Sequence, residues 1–99
     1  MFDGHFEVPL ASALGRVQKA RNLLAAGQVE EARSEAQAAV ALAPEAVQTR
    51  MMLGDVLAAS GRPEEARAEY EQALSLAKTI EPEFQVRSIP DIERKLAGR

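Results

Sequence analysis

Apolar residues recur at three- and four-residue spacing along most of the chain, as in Ala32, Ala36, Ala39 and Val40, and again in Ala66, Tyr70, Ala73 and Leu74. That spacing puts them on one face of a helix and predicts α-structure rather than strands. The two sets lie 34 residues apart, and the offset extends well beyond them. The stretch GQVEEARSE, from Gly27 to Glu35, returns as GRPEEARAE, from Gly61 to Glu69, and residues 13–46 laid over 47–80 give 12 identities in 34 pairs without a gap. In each copy a glycine separates two periodic runs. Each copy therefore reads as helix, tight turn and second helix, with helices predicted at about 10–26, 29–43, 46–60 and 63–79.

The turn chemistry agrees with that division. Gly27 and Gly61 stand where a helix ends in a left-handed residue, a conformation that costs glycine nothing because it has no Cβ. Pro63 suits the first position of the next helix, where its missing N–H would have no intrahelical partner. The pairs Glu30/Glu31 and Glu64/Glu65 then fall in first turns, facing the positive end of the helix dipole. Pro44 closes the second helix of the first copy.

The two ends break the pattern. At the C-terminus SIPDIERKLAG predicts a short closing helix, with Ser88 as N-cap, Asp91 three residues on, an apolar stripe of Ile89, Ile92 and Leu96, and Gly98 as terminator. The preceding EPEFQVR reads as a linker with Phe84 and Val86 as apolar anchors. At the N-terminus Phe2, Phe6 and Val8 alternate with Asp3, His5 and Glu7, a period of two that predicts an extended segment over residues 1–9.

Composition narrows the function classes. Ninety-nine residues make one small domain, and 46% apolar content supports a core, but 19 alanines and only 4% aromatics mean a closely packed helical one. A net charge of −3, with basic residues interspersed among acidic ones, argues against a nucleic-acid surface. The absence of cysteine removes disulfide and thiolate chemistry. No apolar run approaches the roughly 20 residues of a membrane span, so no direct membrane insertion is expected, and MFDGHFEVP has no basic n-region of a secretory signal. The expected location is cytoplasmic for a free-standing chain and open for a piece of a larger one.

A 34-residue helix–turn–helix period, with Leu53-Gly54, Leu57, Ala66 and Tyr70 at their places in the second copy and Gly27, Ala32, Ala39 and Pro44 in the first, resembles the tetratricopeptide repeat. The pattern's Trp is Arg16 or Arg50 here, Lys19-Ala20 replace Leu-Gly, Ala36 replaces the aromatic residue, and Lys78 replaces the closing Pro. The resemblance implies an all-α fold, an α-solenoid of two such hairpins with a short C-terminal capping helix. The chain divides into the extended segment 1–9, a first repeat at 10–46, a second at 47–80, and linker and capping helix at 81–99. One hairpin cannot bury its own apolar face, and roughly three repeats are usually needed for stability. Packing of the N-terminal segment, self-association into a homodimer through an exposed repeat face, or excision from a longer chain would each make up the difference.

The same resemblance implies a non-enzymatic module that binds a protein or peptide in a groove lined by the first helix of each repeat. Its positions here would be Val17, Arg21, Leu24, Gln48, Met51 and Asp55, with Ala58 at the end of the row. Arg21 and Asp55 are equivalent places on adjacent helices and read either as an ion pair between repeats or as a polar hook for a partner. These residues do not resemble the Lys and Asn clamp by which some family members bind chaperone tails. Met51 and Met52 divide between an adaptable contact and the core. No cofactor, metal or catalytic residue is expected: His5, flanked by Asp3 and Glu7, is the lone histidine and too few ligands surround it. The run FDGHFEVPLASAL resembles the tail of some bacterial multi-pass membrane glycosyltransferases, which implies the alternative of a C-terminal appendage without catalysis of its own.

Overall fold

The computed structural model describes residues 9–79 and 82–98, with side chains from Ser12 to Thr79 and from Ile89 to Ala97. Residues 1–8 of the expected extended segment, Asp3, His5 and Glu7 among them, lie outside these; its last residue, Pro9, is helical and begins the first helix. Five helices follow one another: α1 (Pro9–Ala25), α2 (Val29–Leu42), α3 (Val47–Ala59), α4 (Pro63–Ala77) and α5 (Pro82–Gly98). No strand occurs among the described residues, so the fold is all-α.

Both glycine turns have the expected geometry. Gly27 and Gly61 have φ of 83° and 79°. The N–H of Gln28 donates to the Leu23 carbonyl at 2.9 Å and that of Gly27 to Leu24 at 3.0 Å; Arg62 donates to Leu57 at 2.9 Å and Gly61 to Ala58 at 3.2 Å. These are two Schellman closures 34 residues apart, each satisfying carbonyls that a helix end leaves without partners. The bend between hairpins is held differently. The hydroxyl of Thr49, fully buried, lies 2.8 Å from the Ala43 carbonyl and 3.0 Å from that of Ala46, and Arg50 Nε donates to the Pro44 carbonyl at 3.1 Å.

α1 packs on α2 and α3 on α4, while α2–α3 contacts join the hairpins and α1 also touches α3. Surrounded in this way, α3 buries Val47, Thr49, Met52, Leu53, Gly54, Val56 and Leu57, which accounts for its nearly continuous apolar run. Of the methionine pair, Met52 is core and Met51 half-buried. In the first hairpin the core is mostly alanine, with Ala13, Ala20, Ala32, Ala36 and Ala39 all at 0% exposure, so the helix backbones approach closely.

Among the described residues α1 packs on α2 and α3, and it is polar at places where α3 is buried. The positions equivalent to buried Thr49, Met52 and Val56 are Gly15, Gln18 and Asn22, all exposed. Gln18 is tied to Asn22 at 3.2 Å and to Arg21 at 3.1 Å. A polar face of this kind is at home in water.

The C-terminal helix departs from the expectation. It begins at Pro82, not at Ser88, so Ser88 is interior and the linker EPEFQVR is largely helical. Pro82 starts the helix because the first turn needs no N–H from it. Pro90 is carried inside the helix, where it gives up one backbone hydrogen bond. Packing against α4 offsets this: Ile92 is fully buried, and Ile89 and Leu96 lie against the core.

Candidate functional site

α1 and α3 lie side by side, and the expected groove residues fall along them. Arg21 is exposed; Leu24, Gln48, Met51 and Asp55 are half-buried; Val17, at 3% exposure, belongs to the core. Val17 and Met51 are equivalent by repeat, but the shorter side chain ends beneath the surface that the longer one reaches. The same spacing adds one residue that sequence reasoning left out. Leu14 is the counterpart of Gln48 and is 37% exposed, a large apolar side chain in water at the edge of this face.

Arg21 and Asp55 do not pair with each other. Arg21 bonds Gln18 on its own helix, whereas Asp55 is the acceptor for two groups from other helices. The Tyr70 hydroxyl of α4 donates to Asp55 Oδ1, and Lys95 Nζ of α5 lies 3.1 Å from the same oxygen. Lys95 also stands 5.9 Å from the centre of the Tyr70 ring, within range of a cation–π attraction. Burial holds the Tyr70 hydroxyl well above its ordinary titration range, and the carboxylate of Asp55 adds to the shift by accepting its proton in a hydrogen bond and by repelling a phenolate. Asp55 thus fastens α3, α4 and α5 together. Nothing in the repeat pattern points to Lys95, which is 40 residues away and outside both copies.

The Arg that replaces the pattern's Trp has a partner in each hairpin. Arg16 Nη1 meets Glu35 Oε1 at 2.8 Å and Arg50 Nη1 meets Glu69 Oε1 at 3.0 Å. The first pair is half in water, with Arg16 at 48% side-chain exposure; the second is at 18% and 19%. An ion pair between the two helices thus recurs at one place in both copies. The more exposed first pair contributes about 0–1 kcal/mol.

The sequence profile of the tetratricopeptide repeat family matches residues 17–79. The chain belongs to the tetratricopeptide repeat family. No curated protein and no solved structure gives a significant match. In the tetratricopeptide hairpins here, the small residue opposite the aromatic position has a visible purpose: a Cβ on Gly54 would lie 2.5 Å from Tyr70 Cε1. In the first repeat Ala20 and Ala36 occupy these two places, and both are buried.

A second surface feature lies at the far end of the second repeat. A cleft of about 380 Å³ opens between α4 and α5, reaching α3 at Ala58, with Tyr70 and Leu96 among its walls. Among the described residues no cluster of three or more His, Asp or Glu side chains is arranged to hold a metal ion, and no helix is long and apolar enough to cross a membrane.

Proposed function

We propose that this chain is a non-enzymatic binding module that takes a protein or peptide partner along the α1–α3 face. Tetratricopeptide repeats generally mediate protein–protein interaction, and stacked helical hairpins present extended surfaces suited to it. The observation that carries the reading here is the character of the face. Leu14, Leu24 and Met51 leave apolar surface in water beside the exposed cation of Arg21 and the amide of Gln48. Apolar contact for affinity with a few polar groups for register is the usual anatomy of a binding patch. Val17 supports the face from beneath. Asp55 contributes a carboxylate already shared with Lys95, so a partner meets it as part of a neutralised pair. Among the described side chains the outer face of α1 is polar at Gln18 and Asn22, which offers a second copy of the chain little apolar surface there.

The test is comparative capture. Proteins retained from a cell extract by the wild-type chain are quantified beside those retained by an Arg21→Glu/Gln48→Glu variant. Arg21 is exposed and Gln48 half-buried, and helical circular dichroism checks that the variant folds. A partner of this face should be retained at least tenfold less by the variant, since an Arg contact is worth about 1–2 kcal/mol or more when it anchors an interface. Equal retention of every captured protein would remove the α1–α3 face from the account.

A further inference from the structure

We propose that the cleft between α4 and α5 is an anchor pocket for one large apolar side chain of a protein partner, and that a Lys or Arg beside that side chain pairs with Glu64. The proposal extends the binding face above, since the cleft opens at Ala58, one helical turn beyond Asp55 on α3.

The cleft is apolar because of what lines it. Ala58 and Ala66 supply methyl groups, Leu96 supplies one wall, and Tyr70 presents its ring while its hydroxyl is already taken by Asp55. About 380 Å³ lies within the range of pockets that enclose a bound group. The rim decides the charge. It carries Arg67, Lys95 and Glu64. Arg67 is paired with Glu71 at 3.3 Å and Lys95 with Asp55 at 3.1 Å, whereas Glu64 has no cation among the described residues. The charge left open at the mouth is therefore a carboxylate, on a chain whose net charge is −3. An apolar side chain with a neighbouring cation complements both features; an apolar side chain with a neighbouring acid meets repulsion.

Two synthetic peptides test this, Ser-Gly-Phe-Arg-Gly-Ser and Ser-Gly-Phe-Glu-Gly-Ser, titrated into the isotope-labelled protein and followed by amide NMR. The Arg peptide should shift the amides of Glu64, Ala66, Tyr70 and Leu96 and bind about three- to fivefold more tightly than the Glu peptide, the size of one exposed ion pair. Glu64→Gln should remove that preference while leaving binding of the phenyl group. Ala58→Trp, which fills the mouth from an exposed position, should abolish the shifts at unchanged helicity. If neither peptide shifts cleft amides, the anchor is wrong; if both shift them and bind alike, the pairing with Glu64 is wrong. Shifts confined to Arg21, Leu24 and Met51 would overturn the anchor and leave the broader binding face standing. Loss of partner capture in Ala58→Trp but not in Arg21→Glu/Gln48→Glu would do the reverse.

Discussion

Gly54→Ala is a sharp test of the packing because its expected sign is the opposite of what helix propensity gives. The added methyl would lie 2.5, 2.8 and 3.0 Å from Cε1, Cδ1 and Cζ of Tyr70, where carbon atoms prefer about 3.5–4.0 Å. The ring cannot easily turn away. It is 7% exposed, and its hydroxyl is bonded to Asp55, which also holds Lys95. Overpacking of this kind costs about 1–3 kcal/mol, against a gain of about 1 kcal/mol from replacing Gly by Ala inside a helix. A net loss of up to about 2 kcal/mol is expected, at roughly 4–8 °C in Tm per kcal/mol for a chain of this size. Urea unfolding followed by helical circular dichroism measures it. In a Tyr70→Ala background, which reproduces the Ala36 of the first repeat, the same substitution should stabilise by about 1 kcal/mol. The two values together form a cycle with a coupling of about 2 kcal/mol. Stabilisation by Gly54→Ala in the wild-type chain as well would show that the ring does not rest on that glycine.

Other substitutions probe other parts of the account. Leu57→Ala, at a 6% exposed position in α3, should cost about 2–5 kcal/mol in the same assay; a loss below about 0.5 kcal/mol would contradict the helix phase. Gly27→Ala and Gly61→Ala force a side chain into φ of 83° and 79° and should each cost about 1–2 kcal/mol, although neither added methyl meets a neighbour. A normal stability for either would mean that the turn does not need its left-handed residue. Tyr70 is the only tyrosine, so phenolate absorbance reports on it alone. Its folded titration is raised above the ordinary value of 10.0, so the stability it contributes is complete below about pH 10 and falls as pH rises beyond it. The phenolate band should therefore appear with unfolding; a band growing near pH 10 in a chain of full helicity would contradict the burial.

What could be read from the chain was what local chemistry decides. The two glycine bends, the helix phases and the burial of Ala32, Ala66 and Tyr70 follow from spacing and backbone preference, and the structure has them where the repeat requires. The Arg–Glu pairs were visible only as identities, Arg16 with Arg50 and Glu35 with Glu69. Their meeting depends on how the two helices of a hairpin face each other. Thr49 was illegible for a related reason, because its counterpart Gly15 has no side chain to bond and is exposed. The largest omission concerns Asp55. Repeat equivalence pointed to Arg21, while the actual partner, Lys95, comes from a helix outside the repeats whose start at Pro82 was masked by a second proline at position 90. An irregular segment offers no internal copy from which to infer its packing.

Native-state hydrogen exchange tests most directly the claim that the two hairpins are one structure sharing an interior at the α2–α3 contact. The buried amides of α2, such as Ala36 and Ala39, and those of α3, such as Leu53 and Val56, should exchange with the same free energy, equal to that of global unfolding. Exchange of α1 and α2 several kcal/mol below α3 and α4 would mean that the hairpins open independently, and the account of a shared core would not survive it.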